Sequence, residues 1–181
     1  MQPQPQHLVL FGFAAAAAIY DFRTGLIPNR LVSAGLATVL TVQLGFAAAM
    51  GGSRGFGAAF MVSAFGLLIC ALIPLALYMC RGLGGGDVKL LALCGAGLGP
   101  VLGLEAELYA FGLGSLYALG RAAYDGTIFS ALRGSAALLT NPLLPKRLQQ
   151  AVAPSALQPL RFGPAIAVGV VAALALHGRF L

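Results

Sequence analysis

GLGGGDVKL, Gly82 to Leu90, sets an aspartate behind a run of glycines at the start of an apolar stretch. A second segment, YDFRTGLIPN from Tyr20 to Asn29, sets another aspartate at the close of an apolar run. The whole chain has only five acids, Asp21, Asp87, Glu105, Glu107 and Asp125. Two of the five at such boundaries need a reason.

The surroundings narrow the choice. Of 181 residues, 59% are hydrophobic and 9% charged, and mean hydropathy is +0.90. An ordinary soluble domain carries about 25% charged residues. This chain cannot cover its surface with charge, so its surplus apolar surface needs lipid. The expectation is an all-α, polytopic membrane protein forming one domain over 1–181, with no room for a large soluble domain.

A spanning helix takes about 20 residues. Six segments fit, at 7–22, 31–50, 56–80, 88–104, 106–121 and 161–178. Little except Glu105 separates the fourth from the fifth, so a tight turn or re-entrant pair fits there, and five crossings also accommodate the pattern. The ends of the first, third and fifth carry Arg23, Arg30, Arg81, Lys89, Arg121, Arg133, Lys146, Arg147 and Arg161. The other side carries Arg54 and Arg179. The positive-inside rule puts the first set in the cytoplasm and the N-terminus outside. The net charge of +6 belongs to this asymmetry and calls for no nucleic acid.

Other features are quieter. LVLFGFAAAAAIYDF looks like a signal-peptide core, but the preceding MQPQPQH lacks the basic residues of such a peptide, so the segment reads as the first span. Cys70, Cys80 and Cys94 form no Cys-x-x-Cys pair and read as small buried hydrophobes. With only His7 and His177 besides, there is no zinc-ligand cluster, so no metal or cofactor is expected. The stretch 121–160 is broken by turns and prolines and reads as a cytoplasmic or interfacial loop. Its middle, TIFSALRGSAALL, suits the membrane surface or a shallow dip into it.

Asp21 ends the first span and Asp87 begins the fourth. Two crossings separate them, and an even number returns the chain to the same side. Both therefore sit at the cytoplasmic membrane edge. Asp87 also reads as a helix N-cap. Asp21, at the unfavourable end of a helix dipole, also reads as an interfacial acid offset by Arg23. Ionisable groups at membrane depth are nevertheless costly and point to function. Two carboxyl groups sharing a site keep one proton between them. One then acts as base on a water and the other as acid toward a scissile carbonyl, which is aspartic protease chemistry. Glycine backbone beside Asp87 lets another strand approach closely.

These residues resemble a known family. Gly84-Gly85-Gly86-Asp87 matches the Gly-x-Gly-Asp motif of intramembrane aspartic proteases, and VKL continues it as in prepilin peptidases. YDFRTGLIPN resembles the segment around that family's other aspartate, and RFGPAIAVG, Arg161 to Gly169, its Phe-Gly-Pro segment. The three stretches stand in the family's order. Arg161 departs from the proline common there. The likeness is to the short, Flp (tight-adherence) type without the methyltransferase region and its paired cysteines, so it implies peptidase activity and not N-methylation.

By that resemblance Asp21 and Asp87 are catalytic. Gly84, Gly85, Gly86, Lys89, Arg23, Pro28 and Asn29 support substrate and backbone. The substrate is a prepilin or pseudopilin with a short basic leader, cut after a glycine at the cytoplasmic face of a bacterial inner membrane, beside the pilus assembly machinery. Rival readings are a signal-peptide-peptidase-like protease, a transporter subunit, which would hold its acids nearer the midplane, and a non-catalytic assembly factor.

Overall fold

The computed structural model describes residues 4–141 and 161–177. Lys146, Arg147 and Arg179, and residues 142–160 of the expected loop, lie outside the described residues. Among the described residues all regular secondary structure is helical: α1 (Pro5–Thr24), α2 (Asn29–Met79), α3 (Gly85–Leu98), α4 (Pro100–Tyr124), α5 (Ile128–Thr140) and α6 (Gly163–Leu176).

Local sequence explains the helix ends. Proline stands in the first turn of α1, α4 and α6, where the missing N–H costs nothing. Gly25 closes α1 at φ 68°, its N–H bonding the Asp21 carbonyl at 2.8 Å, a left-handed cap that glycine adopts without strain.

The 51-residue α2 is two helices, not one. Gly52 has φ 60° and ψ −148°, a conformation outside the helix that glycine tolerates. Gly35 and Gly66 would stand about 46 Å apart on a straight helix. Yet a Cβ on Gly35 would meet Leu93, and one on Gly66 would meet the Gly95 carbonyl. Gly55 similarly abuts the Ala47 carbonyl. The chain therefore reverses at Gly52, and both arms, 29–51 and 53–79, pack along α3.

A second reversal lies at Gly99, with φ 78° and ψ 175°. Gly103 then lies against Gly95, 2.9 Å from its Cα when a Cβ is built on it. This corrects the expected break at Glu105, which lies inside α4. Glycine followed by Pro100 is the stronger stop and restart signal, because it combines an accessible positive φ with a preset first helical turn.

Small residues decide the packing. Gly66, Gly95 and Gly103 meet around Cys70 in α2, and Gly169 of α6 lies against the backbone of Ala106 in α4. Leu10, Val39, Leu90, Leu91, Leu93, Ile166, Val170 and Leu174 fill the remaining core. The outer side of α2 stays apolar, with Phe60, Phe65, Leu68, Leu72 and Ile73 exposed. Among the described residues, α2 is the one helix long and apolar enough to cross a membrane.

The two reversals gather five helix ends at one end of the bundle: the end of α1, both ends of α2, the start of α3 and the start of α6, with the later half of α4 alongside them at Gly114. At the opposite end, His177 after α6 meets Glu105 of α4 at 2.7 Å.

Candidate active site

Asp21 lies in the last turn of α1 and Asp87 in the first turn of α3. Both are buried, at 5% and 8% exposure. Asp87 is not the helix cap, since Gly84 holds that position. As the third residue of α3 its carboxyl turns back over Gly84, where a Cβ would stand 2.9 Å from Asp87 Oδ2.

The two carboxyl groups feel each other. Asp87 stands one residue ahead of the apolar segment starting at Val88. Burial, and secondly the charge of Asp21, push it up from 3.8 to about 7, while the Gly84 N–H restrains the rise. A buried carboxyl beside a like charge holds its proton into the neutral range.

Asp21 is held differently. The N–H of Gly163, at the start of α6, donates to Asp21 Oδ2 at 2.8 Å within the buried interior. A Cβ on Gly163 would lie 2.8 Å from Asp21 Cβ, so no larger residue fits while this contact lasts. Phe162, buried against Phe111 with ring centroids 5.3 Å apart, keys α6 into α4 beside Gly114. Arg161 donates to the Phe22 carbonyl and sits over the Phe22 ring, 5.6 Å from its centroid. Its place opposite Phe22 accounts for an arginine here.

The supporting residues divide. Lys89 donates to Asn29 Oδ1 at 2.8 Å, tying the start of α3 to the start of α2. Pro28 supplies the extended residue before α2. Gly85 lies against Tyr78, and Gly86 against Ile27 with a built Cβ 3.0 Å from the Ile27 Cβ. The protein itself thus fills the side-chain directions of these two glycines. Their backbone N–H groups fall in the first helical turn, which lacks helical acceptors. Arg23 is exposed and has no polar partner among the described residues.

The resemblance had marked Phe-Gly-Pro as the start of the last span. It gave no sign that the Gly163 amide reaches Asp21, because a backbone N–H has no sequence signature. Tyr78, Ile27 and Phe22 were missed for the same reason: each touches the site through shape.

This arrangement meets independent comparisons. The sequence model of the type IV leader peptidase family matches residues 8–119. The chain belongs to the type IV leader peptidase family. The match takes in both aspartates and the glycine run, and stops before α5 and α6. The chain is also similar to a prepilin leader peptidase/N-methyltransferase of Bacillus subtilis strain 168, at 29% identity over 166 residues. That alignment covers 92% of this chain and 53% of the relative, so the chain spans about half the relative's length. No solved structure matches significantly. The α6 side of the site lies beyond the family model's match, and its contacts with Asp21 are read from the geometry.

Proposed function

We propose that this protein is a membrane aspartic endopeptidase that removes the short basic leader from prepilin-type precursors of the Flp class. It cuts after a glycine at the cytoplasmic face of a bacterial inner membrane. The observation that carries this reading is the meeting of Asp21 and Asp87 in one buried site, from helices separated by the whole of α2. Family membership supports peptidase chemistry, and the shared site supplies its acid and base.

In this reading α1, the two arms of α2, α3, α4 and α6 make six crossings. Each arm exceeds the roughly 20 residues a crossing needs, and its exposed apolar side chains suit lipid. The crossing part of α3 starts at Val88, after Asp87, and α6 has 14 residues and reaches only about 21 Å, so the bilayer adjusts beside both by thinning. A substrate would present its helix to the membrane and its leader to the cytoplasm, bringing the bond between them to the site end.

One carboxylate takes a proton from water as the oxygen attacks the carbonyl carbon. The other carboxyl gives its proton to the carbonyl oxygen. Asparagine can do neither. Asp21→Asn and Asp87→Asn should each slow cleavage of a purified precursor by at least about 100-fold while both proteins remain membrane-inserted. Cleavage at the unaltered rate by either variant ends the two-aspartate reading.

A further inference from the structure

The two aspartates differ in their surroundings, and the difference sits on a residue beyond the family match. We propose that Gly163 is a positioning residue whose N–H commits Asp21 to the role of base and leaves Asp87 as the acid. This deepens the peptidase reading and rests on it for the chemistry.

Asp21 Oδ2 already accepts a buried N–H at 2.8 Å. A proton on that oxygen would point against another donor, so Oδ2 stays an acceptor. The bond also fixes the plane of the carboxyl and keeps Oδ1 for a water. Asp87 instead folds its carboxyl back over the start of its own helix, where its backbone contact is the N–H of Gly84, and no amide from another helix donates to it among the described residues. The basic groups on the packed elements are engaged or turned outward. Lys89 of α3 is held by Asn29, Arg161 by the Phe22 carbonyl, and Arg23 of α1 is exposed. None forms an ion pair with either aspartate among the described residues, which leaves Gly163 on Asp21 as the polar contact that reaches an aspartate from another helix.

In the reaction Asp21 Oδ1 removes a proton from water while the water oxygen bonds to the carbonyl carbon. Asp87 protonates the carbonyl oxygen. As the tetrahedral intermediate collapses, the C–N bond breaks, the leaving nitrogen takes the proton from Asp21, and Asp87 recovers one from the intermediate's hydroxyl.

Reagent selectivity tests this without substrate. An apolar epoxide alkylates ionised carboxylates, and an apolar carbodiimide activates protonated ones. Full-length protein in detergent, treated at mildly acidic pH and mapped by mass spectrometry, should carry the epoxide mainly on Asp21 and the carbodiimide mainly on Asp87. The reverse split, or equal labelling, overturns the proposal. In Gly163→Ala the new Cβ displaces the Asp21 carboxyl. The split should then narrow and kcat fall about 100-fold, as for a misplacement of about 1 Å, with KM retained. Gly12→Ala, with nothing within 4 Å of the added methyl, is the control. A folded Gly163→Ala protein that keeps the split overturns the positioning role; if it does not fold, the split in the unaltered protein decides alone. An unaltered protein that shows the split but never cleaves precursor would sink the peptidase reading and leave the asymmetry standing.

Discussion

Asp87 carries the pH behaviour of this site. Burial and Asp21 raise its folded value to about 7 from 3.8, so the folded state binds a proton that the unfolded chain has released. Between these values folding takes up that proton, and stability falls as pH rises. The contribution is complete below 3.8 and gone above about 7. Activity that needs the Asp87 proton should decline on the same alkaline side. We expect kcat for precursor cleavage to drop as pH rises through about 7, with a thermal unfolding midpoint that also falls with pH. A kcat rising steadily through neutrality would contradict an acid role for Asp87.

At the scale of elements, close glycine contacts hold the helices. Lipid offers apolar side chains as good a solvent as a neighbouring helix does, so association depends on backbone approach. Gly95 touches Gly66 and Cys70 where α3 meets the second arm of α2. Gly95→Leu should destabilise by at least about 1–3 kcal/mol, the usual cost of overpacking, read as a lower unfolding midpoint in detergent. A neutral result would mean the arms are not packed there. Glu107 of α4 presents the opposite case. It is 2% exposed, and neither side-chain oxygen has a hydrogen-bond partner among the described residues. A buried carboxyl without a partner is costly. Glu107→Gln is therefore expected to leave the fold equally stable or more so, by thermal unfolding. A large loss would reveal a role for the carboxylate itself.

Across the whole molecule, the site depends on two reversals that return the chain to one end. Cysteines introduced as Thr24→Cys and Gly82→Cys, in a background with Cys70, Cys80 and Cys94 replaced, should react with an impermeant reagent from the cytoplasmic side. Ser53→Cys, beside the Gly52 reversal, should react only from outside. Position 82 suits this test because an added Cβ meets nothing closer than 3.5 Å. Labelling of 24 and 82 from opposite sides would separate the aspartates and remove the shared site.

Composition and motif sufficed for much of this protein. The apolar majority required helices that satisfy their own backbone. The two aspartates announced themselves because acids are so few here. The parity of apolar segments between them brought them to one end, a conclusion that tolerates errors of several residues in each boundary. Glu105 misled as a break, since one charge is a weaker signal than Gly99 followed by Pro100. Tertiary structure alone decided which groups touch. Side-chain patterns record periodicity and polarity along the chain, whereas the Gly163 amide meets Asp21 across 142 positions through a backbone group every residue except proline possesses. Arg161 on Phe22 and Tyr78 against Gly85 arise likewise, from packed shape that no local pattern encodes.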